Sequence, residues 1–503
     1  GAAQQWDPWT GEARCADVIR TTETTTTVRV DFTESPGALV IFGQGLPEPT
    51  VKRALPGEMI TALDGAWECE VIPPGDNDWG DFAWPPHAGP PPVEIRTLRY
   101  RPEQSDEDGL ASGWSARDCD DGDWSTVTTS FGPYVEVAGT FEAGASPPAE
   151  ADWRPYRYSQ RLGMEGDPVH RGLLGPKGHL HREFLDLGPT ESGRSWFVRT
   201  CAWVPEATTA QLVIESGGSV AAWVGQEPVG EGRDTLVVRV ELAQGWNRLL
   251  LRLDSPGAGQ CRGAFFFAPA ETRPPFGHPL PDGGWLTGEP TGPFVPDMAF
   301  DPEPEAAPGV AWYRTVAPPG ADSMTLVLCG TASVFVDGNP IVLEDDRAAL
   351  PDPAGLRRVL ALRVELPRGV REGAAFPLPL RFNCGHGTIE AGAWQTQGLP
   401  HHAGGVVYRR TFTLDQVPSS LWLDLGAVRG TAEVRLNDSR CGVRIWRPYR
   451  FDLTASARVG ANRLEIDVRN TLGPHFGEGH PSAYTFQSQA SSGLFGPVRL
   501  CGE

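Results

Sequence analysis

The chain has 503 residues, enough for several domains, and 40% of them are apolar, so buried cores are available. Gly (60) and Pro (48) together fill 108 positions, which excludes a long-helix or coiled-coil protein. A formal charge of −21 excludes a basic nucleic-acid footprint, and no stretch approaches about 18 uninterrupted apolar residues, which excludes a membrane-spanning helix.

The chain opens Gly1-Ala2-Ala3-Gln4-Gln5 with no Met before Met59, so the N-terminus is expected to be a processing or cleavage product. Lys52 and Lys177 are the only lysines, against 43 basic residues in all, which suits a GC-rich bacterial genome. Nine cysteines are spread singly from Cys15 to Cys501 with no C-x-x-C. That spacing argues against a zinc site or a dense disulfide framework, and favours a reducing, cytoplasmic compartment.

In chain order the elements are strands and turns. Thr27-Val28-Arg29-Val30-Asp31-Phe32 alternates apolar and polar residues, as does Ala432-Glu433-Val434-Arg435-Leu436, and Gly, Pro, Asp and Asn bound such runs. A 12-residue amphipathic helix pattern is hard to find. The expected class is all-β, built as tandem β-sandwiches.

An internal repeat runs through the chain. One copy starts at Trp196-Phe197-Val198-Arg199-Thr200, passes Ser219-Val220-Ala221-Ala222-Trp223-Val224, and reaches Gly245-Trp246-Asn247-Arg248-Leu249. Another starts at Tyr408-Arg409-Arg410-Thr411-Phe412, passes Thr431 to Asn437, and reaches Gly460-Ala461-Asn462-Arg463-Leu464. The opening aromatic lies 51 residues before the Asn in the first and 54 in the second. A divergent copy opens at Trp312-Tyr313-Arg314-Thr315 and continues into Ser333 to Asn339. Within the repeat unit the V-x-V-[ND]-G piece predicts a tight hairpin whose turn needs φ > 0.

From Tyr408 to Asn470 the residues become specific. Gly404 to Phe412, Ala432 to Asn437, Trp446-Arg447-Pro448-Tyr449-Arg450-Phe451-Asp452 and Gly460 to Leu464 resemble the jelly-roll, galactose-binding-like sugar-binding domain of family 2 glycoside hydrolases. The closing Ser492-Gly493-Leu494-Phe495-Gly496-Pro497-Val498-Arg499-Leu500 is similar to the end of that domain in α-L-rhamnosidase-like enzymes of glycoside hydrolase family 106. Asp120-Asp121-Gly122-Asp123-Trp124 resembles the element that precedes the aromatic opening in such domains; it stands 72 residues before Trp196, which predicts an insertion in the first jelly roll. Trp6-Asp7-Pro8-Trp9-Thr10-Gly11-Glu12 and the strand ending at Phe42 resemble the β-sandwich that follows the catalytic (β/α)8 barrel in that group.

The resemblance implies four parts: residues 1–58, a sandwich segment that would follow a barrel; 59–275, a jelly roll with an insertion; 276–392, a second, divergent β-sandwich; and 393–503, a C-terminal jelly roll. It also implies that the catalytic carboxylates belong to a barrel this chain does not contain, so no catalytic residue is assigned.

Glycoside hydrolysis usually needs two carboxyl groups across the scissile bond, and 64 acidic residues make pairs uninformative. G-x-S-x-G, P-loop and H-E-x-x-H motifs are absent. His179 and His181, with His170 nearby, form a candidate metal pair, the alternative being a polar strand. Asp118, Asp120, Asp121 and Asp123, or Asp76-Asn77-Asp78, offer oxygen ligands to a structural calcium, which the resemblance also implies; otherwise no cofactor is required.

Tryptophan carries the binding signal. Trp79, Trp84, Trp114, Trp153, Trp394 and Trp446 fall in expected loops, where indole beside Arg, Gln or His suits the C–H faces and hydroxyls of a sugar. The candidate substrate-binding set is Trp394, Gln395, His401, His402, Trp446, Arg447, Tyr449 and His475, on the loops Gln395 to Gly405, Trp446 to Tyr449 and His475 to Tyr484. The alternative for these residues is packing between modules. The expected function is the non-catalytic, carbohydrate-binding part of a rhamnosidase-like glycoside hydrolase, partnered by a barrel domain or subunit. An independent carbohydrate-binding array and a self-contained hydrolase are the rival readings.

Overall fold

The structure, a computed structural model, describes residues 2–8, 11–32, 35–44, 46, 58–73, 92–104, 108–129, 135–156, 184–204, 206–255, 257, 259–270, 299–300, 309–367, 370–376, 378–475 and 491–503. The described residues are almost entirely antiparallel strands, with short 3-10 turns and no α-helix. Alternation drives this: in Gly460–Arg469, Leu464, Ile466 and Val468 are fully buried while Arg463, Glu465 and Asp467 point away. The expected class of several β-sandwiches is what the strands form.

An outer sandwich combines residues 58–72 with residues 386–502. Its six-stranded sheet runs in the order His386–Glu390, Ala66–Ile72, Gly405–Leu414, Gly460–Arg469, Thr431–Leu436, Ser439–Arg444, and its four-stranded sheet runs Arg450–Asp452, Leu421–Asp424, Arg499–Gly502, Glu58–Ala62. A middle sandwich repeats that plan strand for strand. Its six-stranded sheet is Ser125–Thr128, Thr97–Pro102, Gly309–Val316, Val359–Leu366, Thr331–Val336, Asn339–Ile341, and its four-stranded sheet is Arg347–Ala349, Ala321–Thr325, Leu380–Cys384, Val93–Ile95. One continuous apolar core, from Trp67 and Tyr408 to Tyr313 and Phe382, runs through both.

The inner sandwich, between Val135 and Pro269, has its own core. Two long strands, Thr208–Val224 and Glu227–Leu242, each serve both of its layers. The first half of Thr208–Val224 pairs with Gly259–Pro269 and the second half with Gly245–Asp254, the pairing shifting across Ser216-Gly217-Gly218.

The three units are therefore nested rather than strung end to end. In the outer and middle units the inserted sandwich falls between the strand that precedes the opening strand in the sheet and the opening strand itself: between Ala66–Ile72 and Gly405–Leu414, and between Thr97–Pro102 and Gly309–Val316, where Ser125–Thr128 of the middle sheet comes before the insertion. Both ends of an insertion at this joint stay close together, which is the geometry that tolerates an inserted domain. The sheets thus cut across the contiguous division at 58, 275 and 392, because strand pairing is satisfied by distant segments. Glu58–Ala62, for example, pairs with Arg499–Gly502. N-terminal to it, Ala2–Trp6 pairs with Ala13–Cys15 and Leu39–Gly43 in a three-stranded sheet.

Strand register defines the repeat. The opening strand pairs with the closing strand, which pairs with the first hairpin strand, in all three units. The hairpin backbone N–H donates to the closing strand at equivalent positions: Gly225 to Arg248 O (2.8 Å), Asp337 to Val359 O (2.9 Å) and Asn437 to Arg463 O (2.9 Å). The predicted positive φ is found at Gly225, at Asp337 and Gly338, and at Asn437 and Asp438. This register aligns Val198, Tyr313 and Tyr408, so Trp196 is two residues out of step with Tyr408, contrary to the aromatic-to-aromatic match in the sequence.

Two repeated residues now have a reason. Asn247 accepts from Ala243 N and donates to Ala243 O and Gly245 O, and Asn462 makes the same three bonds to Arg458 N, Arg458 O and Gly460 O. Each closes the turn that feeds its closing strand. Arg199, Arg314 and Arg409 are the second set, equivalent in register and each ion-paired to a carboxylate: Glu136 at 2.5 Å, Asp121 at 2.9 Å and Glu70 at 2.8 Å.

The Asp120-Asp121-Gly122-Asp123-Trp124 element belongs with the middle sandwich, not with the unit opening at Trp196. Arg314 binds Asp121 and the carbonyls of Trp114, Ala116 and Cys119, while Trp114, Trp124, Trp312, Phe335 and Ala361 form a small separate core outside the sheet. The apparent insertion before Trp196 is explained by the whole inner sandwich lying between Trp124 and Trp312.

Candidate functional site

The loop expected to carry sugar contacts is a buried joint between the outer and middle sandwiches. After His386–Glu390 the chain turns through Trp394–Gln397, and Gln397 folds the turn on itself: its Oε1 accepts from Glu390 N, and its Nε2 donates to Glu390 O and Ala393 O. Gly398 follows at φ +81°, where a Cβ would stand 2.5 Å from Ala317 O of the middle sandwich. Only glycine allows that approach.

Trp394 is 0% exposed, and its Nε1 donates to the Tyr408 hydroxyl at 2.6 Å. Its ring stands 5.8 Å from that of His402. It is a core residue, not a sugar platform. Gln395 is half-buried and accepts from Ser492 N at 3.4 Å.

His401 and His402 are both buried. His402 Nε2 lies 3.1 Å from Gly405 O, and burial, its largest cause, pushes its pKa down to about 4. Burial, together with the neighbouring Arg96 charge, holds His401 well below the ordinary histidine value. Its Nδ1 accepts from the backbone N–H of Arg96 at 3.3 Å, which leaves Nε2 as the protonated nitrogen of the neutral ring.

Arg96 organises the joint. Its NH1 donates to His475 O at 2.5 Å, its NH2 to His475 Nδ1 at 3.2 Å, and its Nε and NH2 to Glu94 Oε2. Glu94 Oε1 in turn faces Arg381 Nε at 3.4 Å. Asn470 pins the adjoining turn, donating to His402 O and Ser492 Oγ. The structure thus gathers Trp394, Gln395, His401, His402 and His475 around one polar cluster.

Trp446, Arg447 and Tyr449 are engaged elsewhere. Tyr449 is buried with its hydroxyl on Gly430 O at 2.6 Å, Arg447 is exposed and donates to Phe32 O at 3.4 Å, and Trp446 is half-buried. Of the calcium candidates, Asp120 Oδ1 accepts from Gly122 N, Asp121 binds Arg314, and the exposed Asp123 lies 3.7 Å from Arg101. Among the described residues no three His, Cys, Asp or Glu side chains converge as a metal site. His170, His179, His181, Asp76, Asn77, Asp78, Trp79, Trp84 and the stretch 476–484 lie outside the described residues.

Glu94, Arg96 and Arg381 carry the cluster, and sequence reasoning missed them. Val93-Glu94-Ile95-Arg96 reads as an alternating strand whose charged residues face water. Here both faces are covered, because the loop at His401 packs against this edge strand. All nine cysteines, from Cys15 to Cys501, are free thiols in the structure. No helix among the described residues is long and apolar enough to cross a membrane.

No family model matches the chain. A putative β-glucuronidase of Formosa agariphila is 35% identical over 83 residues, covering 16% of this chain and 7% of that protein, so the chain spans a small part of the curated relative it matches. Among solved structures, the rhamnosidase of Novosphingobium sp. PP1Y overlaps 63% of this chain and 24% of its own at 17% identity and a TM-score of 0.18. A β-glucuronidase from an uncultured Clostridium sp. overlaps 21% and 20% at 30% identity and a TM-score of 0.17, and the α-L-rhamnosidase of Streptomyces avermitilis complexed with L-rhamnose overlaps 86% and 38% at 14% and 0.15. The relatives in these matches are glycoside hydrolases, and at such TM-scores no position is transferred from them.

Proposed function

We propose that this chain is the non-catalytic, multi-sandwich part of an α-L-rhamnosidase-like glycoside hydrolase, a scaffold that supports the sugar pocket of a barrel domain or subunit. The observation that carries the reading is the joint between outer and middle sandwiches. Its histidines and Trp394 are bonded inward, and Arg96 fixes the start of the turn at His475. A joint so bonded is a firm frame, as the support of another domain's pocket must be. The 83-residue likeness to a putative β-glucuronidase supports the glycosidase setting. Glu94, a carboxylate of the joint, has both oxygens facing arginines, which favours a supporting role for it over hydrolysis by this chain itself.

Aryl α-L-rhamnoside and aryl β-glucuronide hydrolysis tests the proposal. The 503-residue chain alone is expected to turn over neither substrate, and the barrel-bearing protein or complex from the source is expected to turn over one of them and to lose most of that activity with Arg96→Ala. Turnover by the chain alone, abolished by one carboxylate substitution, would overturn it.

A further inference from the structure

The three sandwiches treat one equivalent sheet face in three ways. Register places Trp223, Phe335 and Arg435 at the same position on the face that carries Arg199, Arg314 and Arg409. In the middle sandwich Phe335 stacks on Trp312 (5.7 Å), which is roofed in turn by Trp114 (6.2 Å). In the outer sandwich no such roof is needed, because Arg435 is bonded to Glu433 in a face of charges that includes Glu70, Arg409 and Glu465. In the inner sandwich the matching segment, residues 143–153, is shorter: it sets Trp153 over Arg199 as Trp124 is set over Arg314, and among the described residues no tryptophan is stacked on Trp203, Trp223 or Trp246.

On that inner face, Trp203 and Trp246 are direct cross-strand partners, and Trp223 is level with Leu250 and Arg199. The two rows are four residues apart, about 13 Å along the strand. Trp153 covers the Arg199 guanidinium at 4.3 Å, and Arg199 is committed to Glu136. All four tryptophans are half-buried, and among the described residues no hydrogen bond engages the Nε1 of Trp203, Trp223 or Trp246. Arg248 lies exposed between the rows.

We infer that this face of the inner sandwich binds a neutral glycan chain across Trp203, Trp246, Arg248 and Trp223. Indole faces take sugar C–H surfaces, while indole N–H groups and the forked guanidinium take hydroxyls. The spacing of the rows suits several sugar rings rather than one. A net charge of −21 disfavours polyanionic glycans. The inference rests on the carbohydrate reading above, but it moves the contact from the His401 loop to a different sandwich.

The full chain is titrated with xylohexaose, mannohexaose, cellohexaose and polygalacturonate, by calorimetry and by tryptophan fluorescence. At least one neutral hexasaccharide is expected to bind, with affinity reduced tenfold or more in Trp203→Ala/Trp246→Ala and severalfold in Arg248→Ala. The surface Arg248 variant keeps the test valid if the double variant unfolds. Binding that is unchanged in both variants would overturn this face and leave the carbohydrate reading intact. No binding of any hexasaccharide, or preference for polygalacturonate, would also overturn it, and the hydrolysis assay would still judge the scaffold reading separately.

Discussion

Arg314 and Asp121 are joined by a 2.9 Å bond from Nε to Oδ2 across 193 residues of sequence, and between them lies the whole inner sandwich. The same guanidinium donates to the carbonyls of Trp114, Ala116 and Cys119, so one side chain closes the ring of chain that contains an entire domain. Arg314→Met is expected to destabilise the middle sandwich by about 3 kcal/mol, since it strands a carboxylate and several carbonyls. Arg314→Lys rescues little of this, because three donors on a point charge do not reproduce the planar fork. Urea denaturation followed by tryptophan fluorescence measures both.

The repeated asparagines give a graded comparison. Asn462 is fully buried and bonded to Arg458, Gly460 and Asn437, so Asn462→Ala is expected to cost about 2 to 3 kcal/mol. Asn247 makes the matching turn bonds but is half-buried, and Asn247→Ala is expected to cost about 1 kcal/mol. Thermal denaturation of the two variants side by side checks the order; equal losses would contradict the equivalence in role with difference in burial.

Trp394 separates support from recognition. Trp394→Phe removes the indole donor to the Tyr408 hydroxyl and leaves that buried group with the Leu494 backbone as its partner, at an expected cost of about 1 kcal/mol. Hexasaccharide affinity is expected to stay unchanged in this variant. A large loss of binding with little loss of stability would restore the residue as a sugar platform.

His402 makes stability depend on pH in a defined window. Its folded pKa, about 4, lies below the ordinary 6.5, so the unfolded chain takes up a proton first as pH falls. The contribution is full above about pH 6.5 and is lost progressively as pH drops toward 4, by about 3 kcal/mol in all. His402→Gln is expected to flatten the curve in that window. Denaturation midpoints measured between pH 7.5 and 4 test this, and an unchanged slope in the variant would refute it.

Thiol chemistry reports on the same joint. Burial pushes Cys69 and Cys384 up to about 12, whereas Cys15 is exposed. At pH 8 in native buffer, Cys15 is expected to react with a disulfide reagent within minutes and Cys69 and Cys384 only on unfolding. Mass mapping of the labelled cysteines resolves the order.

The sequence by itself determined the all-β class, the repeat and the positive-φ hairpins, because alternation, turn residues and, in two of the units, the Asn of the closing turn act over a few neighbours. Val224-Gly225, Asp337-Gly338 and Asn437-Asp438 needed no distant partner to be read. It also singled out His401, His402 and His475, which the fold does gather. Only the tertiary structure decided what they face. Glu94 and Arg96 are ordinary strand charges until a loop some 300 positions later buries them, and Trp394 looks like a loop indole until Tyr408 takes its N–H. Nesting was equally hidden, since strand pairing satisfies backbone hydrogen bonds without regard to sequence distance, so that Ala66–Ile72 and Gly405–Leu414 join one sheet with two further sandwiches between them.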